Sequence, residues 1–434
     1  MTALTHRRVL WIAAPIVLSN ATVPLLGAVD TAVIGQLGAA APLGAVGIGA
    51  IILSTFYWAF GFLRMSTSGL TAQAHGAGDG AERSAILLRA LAIGALAGLG
   101  LVAAQTLLFQ AAFAVSPASP EVETLARQYL SIRIWGAPAS IALYAVTGWL
   151  IALERTRAVL VLQLAQNGIN IALDLYFVLH LNWGVPGVAI ATLIAEWGGL
   201  ALGLWLARDA FGAFLRPAIA RLRDRAALGK MFTASRDIMA RTILLQLSFT
   251  SFVFVGAHFG DTTLAANQVL MQFLEITAFA LDGFAFAAEA LVGQSVGARS
   301  ITDTRRAGQI CMNLGLAGAA LLALIFAATG PQIIALMTTS PEVRIAAQIY
   351  LPWLIMAPLI GVTSWIYDGM FIGAMMTGAM LRAMALSVAI YGVSMAILLP
   401  AFGNHGLWGA LMVLNIARAL TMRRAWPGIA ARLA

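Results

Sequence analysis

The sequence predicts an all-α integral membrane protein, with twelve transmembrane helices in two parallel six-helix repeats that form two lobes. Three observations predict this fold class: an apolar composition, long unbroken apolar stretches and an internal repeat. Hydrophobic residues make up 61% of the 434 residues and charged residues only 10%, whereas a soluble protein carries about 25% charged residues. A soluble protein of this length could not cover its surface with so little charge. The apolar stretches are continuous rather than alternating, which excludes a β-barrel.

Twelve stretches contain the roughly 20 mainly apolar residues that a helix needs to cross a bilayer. They cover 9–34, 44–71, 85–113, 122–149, 159–180, 187–207, 237–257, 264–291, 307–328, 343–368, 380–400 and 406–422. The fourth and tenth follow matching start signals, because Ser119 and Ser340 can each cap a helix. The proline after each serine fits the first helical turn.

The chain contains one unit twice. Residues 30–148 recur 221 positions later, so that the Ser-Pro-Glu-Val motif at 119–122 returns at 340–343. Further along the chain the offset becomes 222, and Gly187 matches Gly409. Each copy holds six spans, and an even number returns the chain to its starting side, so the copies are parallel. Such a repeat points first to a transporter, because it places a substrate site between the halves.

The repeat and the basic residues predict the domain organisation. We expect an N-terminal six-helix lobe (1–207), a cytoplasmic linker (208–236) and a C-terminal six-helix lobe (237–434). Arginines concentrate in the linker, in alternate loops and near both termini, which places both termini in the cytoplasm. We expect the bacterial cytoplasmic (inner) membrane, with the amphipathic linker lying on its lipid surface. The net charge of +8 follows from this bias, so no nucleic-acid partner is expected.

Other motifs limit the chemistry. Cys311 is the single cysteine, which excludes a disulfide framework, and the five histidines are scattered without metal-ligand spacing. The glycine-bearing turns at 72–78 and 293–298 lack the lysine and the strand of a phosphate loop. We therefore expect no cofactor and no enzyme activity, so that a proton or sodium gradient would have to drive transport.

Three carboxylates lie well inside the spans of the first copy: Asp30, Asp174 and Glu196. An ionisable side chain near the bilayer centre costs roughly 2.5–3.5 kcal/mol, so its presence needs a reason. Asp174 shares one helix face with Asn167 and Asn170. Two neighbouring carboxylates in a low dielectric cannot both ionise cheaply, so they would bind a proton or share a cation. The alternative is a hydrogen-bonded cluster that only holds helices together.

A second acidic group lies in the other copy. Glu275, Asp282 and Glu289 are spaced by seven on one face of span eight, and Asp368 is near the end of span ten. These acids cannot point into lipid. They either line a cavity that suits a cationic substrate or pair with basic residues such as Arg241.

Several motifs resemble a known family. They are Val29-Asp30-Thr31, the turn Gln73…Gly76 with its echo Gln294…Gly297, Asn170-x-x-x-Asp174, and Leu281-Asp282-Gly283-Phe284-Ala285-Phe286-Ala287-Ala288-Glu289. With the twelve spans, they resemble the multidrug and toxic compound extrusion (MATE) family, and the last motif resembles its DinF branch. The resemblance implies efflux of amphipathic, often cationic compounds by antiport with protons or sodium. It also implies two lobes around a V-shaped cavity that alternates its access by rocking.

The resemblance also implies roles for single residues. The aspartate matching Asp30 is central to coupling in the family, and residues matching Asn170, Asp174 and Thr192 surround it and can hold a cation, sodium included. The family bends span one at a proline. By spacing Pro15 matches that proline, and Pro24 is a further candidate.

The leading hypothesis is a proton-coupled secondary antiporter that exports amphipathic drugs or toxic compounds by alternating access, with sodium coupling left open. We expect it to act as a monomer. One alternative is a flippase of a lipid-linked oligosaccharide precursor. It needs an arginine-rich cavity, whereas few arginines lie deep, Arg64 and Arg241 being the main ones. An alternative from another class is an intramembrane aspartyl protease, which would need a reactive aspartate pair.

Overall fold

The computed structural model describes residues 3–36, 39–115 and 118–433. Helices account for nearly all of these residues, and the described ranges contain no β-strand. The α-helices are α1 His6–Gly35, α2 Ala40–Trp58, α3 Phe62–Gly76, α4 Gly80–Val115, α5 Pro120–Arg133, α6 Ala137–Ala152, α7 Thr156–Asp174, α8 Gly184–Leu206, α9 Leu215–Arg221, α10 Arg225–Gly256, α11 Asp261–Gly297, α12 Ile301–Met337, α13 Pro341–Gly373, α14 Thr377–Phe402, α15 Asn404–Ala425 and α16 Gly428–Leu433. Short 3₁₀ segments cover Ile134–Gly136, Arg208–Phe211 and Ala257–Phe259, and a π turn covers Leu175–His180.

The long helices form twelve segments, because α2 with α3, α5 with α6, and α7 with the π turn each form one. In the described ranges, ten of these segments are long and apolar enough to cross a membrane. The remaining two are α1, the first of the twelve, and α15, the last. Each predicted span lies on one segment, so the twelve-helix, all-α fold class is confirmed. The chain is an integral membrane protein.

The backbone shows the same repeat as the sequence. Glu154 and Met375 adopt left-handed conformations, with φ of 60° and 51°, and they lie at the 221-residue offset. Gly78 and Arg299, with φ of 73° and 55°, form a second such pair. A non-glycine residue rarely adopts positive φ. Two matched pairs therefore indicate that equivalent turns follow equivalent helices in both copies.

Helix packing repeats as well. Gly148 on α6 lies so close to α3 that a Cβ atom there would overlap the carbonyl oxygen of Arg64. Gly369 on α13 has the same relation to the carbonyl of Ala285 on α11. Both glycines and both carbonyl residues are equivalent under the offset, so the same close helix contact is built twice.

The predicted helix starts at Pro120 and Pro341 are confirmed. The hydroxyl oxygen of Ser119 accepts from the backbone N–H of Val122 at 3.4 Å, and Ser340 caps α13 in the same way at 3.4 Å.

The chain divides into two compact units. One comprises Leu18–Met231, and the other comprises Met1–Val17 with Phe232–Ala434. The boundary falls inside α1, whose first part packs within the second unit: a Cβ at Gly283 would be 2.6 Å from the carbonyl oxygen of Ala13. The predicted bounds 1–207, 208–236 and 237–434 differ from these units and stay a prediction.

The first half of the predicted linker belongs to the unit Leu18–Met231 and is held within it by ion pairs. Arg155 donates to both carboxylate oxygens of Asp209, at 2.6 and 3.0 Å, and Arg221 donates to Asp79 at 2.6 Å. Burial raises the pKa of Asp79, but hydrogen bonds from the backbone of Glu82 and from Arg221 outweigh it and hold that pKa below its usual range. The second half of the linker is helical, because α10 begins at residue 225.

Candidate cation-coupling site

The structure brings Asp30 and Asp174 together within the unit Leu18–Met231. Asp174 is the last residue of α7 and is fully buried, and Asp30 is half-buried on α1. Their carboxyl groups are close enough to interact directly. Two carboxylates this close repel each other when both are charged. The contact therefore favours a state in which the pair holds a proton or another cation.

Asn170 lies one helical turn before Asp174 on α7, and it contacts Thr192 on α8. The Asn170 amide Nδ2 donates to Thr192 Oγ1 at 3.0 Å, and the Thr192 hydroxyl donates to the carbonyl of Val188 on its own helix at 3.0 Å. These two bonds fix the orientation of the amide. Its oxygen, Oδ1, is consequently left buried without a donor among the described residues.

Asp30, Asp174 and Asn170 carry four buried acceptor oxygens that lack a donor. Apart from the contact between the carboxyls, no described N–H or O–H group donates to Asp30 Oδ1, to either oxygen of Asp174 or to Asn170 Oδ1. Leaving a buried acceptor unsatisfied costs about 1–3 kcal/mol, so such oxygens are rarely left without a role. Carboxylate and amide oxygens suit a hard cation, and a carboxylate can take a proton instead. The described residues contain no cluster of three or more His, Cys, Asp or Glu side chains that could hold a metal.

A second set of polar contacts joins α7 to α1. Asn167 Nδ2 donates to Thr22 Oγ1 at 3.1 Å, and Gln163 Nε2 donates to Asn167 Oδ1 at 3.1 Å. The polar face predicted for α7 is therefore turned toward α1. A change in charge at Asp30 and Asp174 acts on the same two helices that these amides connect.

Local backbone irregularities position the charged groups. The α-helix α7 ends at Asp174 and continues as the π turn, while α5 ends at Arg133 and continues as the 3₁₀ segment Ile134–Gly136. π and 3₁₀ turns within long helices often mark functional sites, because they redirect side chains that a regular helix would turn away. The amino-acid pattern gave no sign of either irregularity.

Arg133 and Glu196 form a buried ion pair that the sequence did not predict. Arg133 Nη1 lies 2.7 Å from Glu196 Oε2, and the residues are 8% and 5% exposed. Glu196 is thus a partner of an arginine, and no contact joins it to Asp174 among those described. The guanidinium of Arg133 also lies within electrostatic range of Asp30 and Asp174. Arg133 Nε also donates to the hydroxyl of Tyr129, four residues earlier on α5, at 3.3 Å.

Asp368 is ion-paired. Its Oδ2 atom accepts from Arg241 and, at 2.6 Å, from Arg418. The sequence left open whether the second acidic group lines a cavity or pairs with basic residues. Asp368 pairs with a basic residue, Arg241. Arg418 was not anticipated.

The three acids on α11 differ in environment although they share one helix face. Glu275 is exposed, Asp282 is half-buried and Glu289 is 1% exposed. Whether they line a substrate cavity stays a prediction.

Pro15 is buried within α1, which runs as one helix from residue 6 to residue 35. The side chain of Pro24 lies outside the described residues. The helix-bending roles of both prolines stay predictions.

The family profile decides the family of the chain. The MatE profile matches residues 15–176 and again 238–398, once on each repeat. The chain belongs to the MatE family. The predicted resemblance to MATE transporters is therefore confirmed, and the MatE family is a transporter family rather than an enzyme family.

Relatives and solved structures agree with this family. The chain is 39% identical to the DNA damage-inducible protein F of Escherichia coli K12, over 96% of this chain and 92% of that protein, which confirms the resemblance to the DinF branch. It is 28% identical to a probable multidrug resistance protein NorM of Rhodopseudomonas palustris, over 83% and 76%.

The Vibrio cholerae MATE transporter VcmN in the bent form superposes with a TM-score of 0.87 at 22% identity, covering 99% of this chain and 97% of that one. A MOP superfamily transporter from Pyrococcus furiosus gives 0.84 at 17% identity, over 99% and 96%. These two likenesses establish the fold.

Proposed function

We propose that this MatE protein is a secondary antiporter of the cytoplasmic membrane that exports amphipathic, often cationic compounds in exchange for protons. Sodium is the alternative coupling ion. The family and the relative named as a multidrug resistance protein support the class of substrate. Both termini would be cytoplasmic, small amphipathic molecules and membrane lipid would be its partners, and the ion gradient would take the place of a cofactor.

The observation that carries the proposal is the contact between Asp30 and Asp174 beside donor-free oxygens. A proton that binds there cancels the repulsion between the carboxyls. Since Asp30 is on α1 and Asp174 ends α7, the protonation state changes the energy of holding these helices together. Transport follows if the two conformations of the protein bind the proton and the substrate with different affinities. Asn170 and Thr192 would complete the cation site.

The flippase alternative has less support. It depended on Arg64 and Arg241 as deep arginines for a pyrophosphate group, and Arg241 is bonded to Asp368 instead. A guanidinium whose charge is already matched by a carboxylate is a weaker ligand for phosphate. Membership of a transporter family also leaves the protease alternative without support.

Proteoliposomes that contain the purified protein test the proposal. Efflux of an amphipathic cationic dye is measured under a proton gradient and, separately, under a sodium gradient. We expect Asp30→Asn and Asp174→Asn to abolish gradient-driven efflux, because neither variant can form the ionisable pair. Asp261→Asn, an exposed acid at the start of α11, is the matched control. Undiminished proton-driven efflux by both site variants would overturn the assignment.

A further inference from the structure

We propose that Arg241 and Arg418 form a binding site for one monoanionic group, a carboxylate or a phosphate, in the unit that comprises Met1–Val17 and Phe232–Ala434. The anion would be the charged group of an amphipathic molecule, either a transported compound or a membrane lipid. The inference goes beyond the proposed function, which concerns cationic compounds and a coupling site in the other unit.

Three helices each contribute one charged residue to this site: Arg241 on α10, Asp368 on α13 and Arg418 on α15. Nη2 of each arginine donates to the same carboxylate oxygen, Asp368 Oδ2, at 2.6 Å for Arg418. Arg418 Nη1 also donates to Asn415 Oδ1 at 3.0 Å, and the Asn415 amide donates to the carbonyl of Leu411 at 3.3 Å. The guanidinium of Arg418 is therefore fixed by two hydrogen-bonded side chains.

The charges of this cluster do not balance. An arginine is charged at any physiological pH, so two positive charges share the single negative charge of Asp368. Among the residues that the structure describes, no other carboxylate lies within ion-pairing distance of either arginine. Asp237, one helical turn before Arg241, is already paired with Arg236 at 2.9 Å. One positive charge consequently lacks a counter-charge.

Both arginines of the cluster are buried. Arg241 is 6% exposed and Arg418 is 1% exposed. Arginine is almost never fully buried unless its charge is paired, because an uncompensated charge in the interior is costly. An anion bound to the cluster would offset that cost. A single negative charge is sufficient, so a monoanion suits the cluster better than a pyrophosphate group does.

The two guanidinium groups also keep N–H groups that an oxyanion could use. Arg241 Nε and Arg418 Nε are buried, and neither has an acceptor within the described part of the chain. Each arginine donates to Asp368 Oδ2, whereas Asp368 Oδ1 accepts no hydrogen bond from a described residue. Neither arginine therefore holds the carboxylate by the two parallel bonds that arginine commonly makes with carboxylates and phosphates. A second oxyanion would supply both the missing charge and acceptors for the unused N–H groups.

A matched pair of probes tests the site. Indole-3-acetate is an amphipathic carboxylate, and indole-3-acetamide has the same ring system but no charge. Isothermal titration calorimetry measures the binding of each probe to the purified protein in a neutral maltoside detergent. We expect indole-3-acetate to bind about tenfold more tightly than the amide, or better, because only the acetate can form charge-assisted hydrogen bonds with the arginines.

Single substitutions change the charge balance in both directions. Arg241→Met and Arg418→Met each leave one arginine paired with Asp368, so no buried charge is stranded. Each should weaken the binding of indole-3-acetate about tenfold or more and leave the affinity for the amide unchanged. Asp368→Asn leaves two positive charges and should strengthen the binding of the acetate. Each variant tests the site separately if another does not fold.

Arg344→Met is the matched control. It removes one positive charge from the same unit, about 36 Å along α13 from Asp368. The Arg344 guanidinium donates to the backbone carbonyls of Thr338 and Ala335, at 2.7 and 2.8 Å. We expect this variant to bind indole-3-acetate as tightly as the unmodified protein does.

A lipid measurement identifies the source of the anion. Native mass spectrometry counts the phosphatidylglycerol retained by the unmodified protein, by Arg418→Met and by Arg344→Met. Loss of one phosphatidylglycerol in Arg418→Met alone supports the site and assigns it to a lipid headgroup. Charge-dependent binding of indole-3-acetate supports the site and assigns it to a soluble amphipathic anion.

The proposed site is wrong if neither indole-3-acetate binding nor phosphatidylglycerol retention falls in the folded methionine variants. None of these measurements depends on efflux. The outcome is therefore independent of whether Asp30 and Asp174 couple transport to an ion gradient.

Discussion

Replacing Asp368 with asparagine should destabilise the unit that contains α10 to α15. Asp368 Oδ2 is the shared acceptor of Arg241 and Arg418, and these arginines are 6% and 1% exposed. Arg418 keeps one further partner, the side-chain oxygen of Asn415, at 3.0 Å. The substitution therefore leaves two buried guanidinium groups without a counter-charge.

The magnitude follows from the burial of these groups. Removing one partner of a buried ion pair costs about 3–5 kcal/mol, because the remaining charge is uncompensated. In a unit of roughly 200 residues, 1 kcal/mol shifts the melting temperature by about 2–4 °C. Asp368→Asn should accordingly lower the melting temperature by on the order of 10 °C.

Thermal unfolding of the purified protein in detergent, followed by tryptophan fluorescence, measures this loss. Glu275→Gln removes an exposed acid from the same unit and should change the melting temperature little. The triple variant Arg241→Met/Asp368→Leu/Arg418→Met should recover most of the loss, because an apolar replacement of a whole buried ion cluster is often neutral or stabilising. A melting temperature for Asp368→Asn within about 1 °C of the parent would refute the reasoning.

Two further predictions concern packing and the linker. Gly148→Ala places a methyl group against the carbonyl of Arg64 and should lower the unfolding free energy by about 1–3 kcal/mol, as measured by denaturation. Gly392→Ala, on an open helix face, is the control, and in the same measurement it should be neutral or stabilising. The pKa of Asp79 is lowered on folding, so its contribution to linker docking is complete above the ordinary aspartate pKa of about 3.9 and is lost as the pH falls through the folded value. Asp79→Asn at pH 7 should therefore raise hydrogen–deuterium exchange in α9, and unchanged exchange would contradict this ion-pair role.

Features that depend on a few consecutive residues were predictable from the sequence. Ser119 and Ser340 cap their helices because the serine, the proline and the acceptor geometry all lie within one turn. The shared face of Asn170 and Asp174 followed from helical periodicity alone. The twelve spans followed from hydropathy, because a bilayer demands long apolar helices.

Features that depend on contacts between distant helices were not predictable. Arg133 and Glu196 are 63 residues apart and lie on different helices. No sequence pattern near either residue predicts that the other is its partner. The need for a glycine at position 136, in the 3₁₀ segment after Arg133, becomes clear only from the structure, because a Cβ atom there would overlap the carboxylate of Glu196. In the same way, the sequence identified Asp30 and Asp174 as carboxylates that are unfavourable inside a membrane, but it could not predict that they contact each other, because that contact depends on helix packing.

Comparison of the two copies shows which polar contacts are repeated and which belong to the proposed coupling site. Under the 221-residue offset, Ser251 corresponds to Asp30 and Tyr391 to Asn170, and the Ser251 and Tyr391 hydroxyls are hydrogen-bonded at 3.1 Å. The same pair of helices is thus joined by polar groups in both copies, α1 with α7 and α10 with α14. In the second copy those groups are uncharged hydroxyls, which can join the helices without binding a coupling cation.

Buried ion pairs also occur at equivalent positions of the two copies. Under the 222-residue offset, Arg418 corresponds to Glu196, and each is buried and ion-paired, the one to Asp368 and the other to Arg133. Duplication has kept the position of a buried charge while reversing its sign. The repeated features are therefore those that hold helices together, whereas the paired carboxylates of Asp30 and Asp174 belong to one copy. An antiporter that couples ions through the proposed Asp30–Asp174 site would do so in one unit, and the internal symmetry of the fold would then not extend to energy conversion.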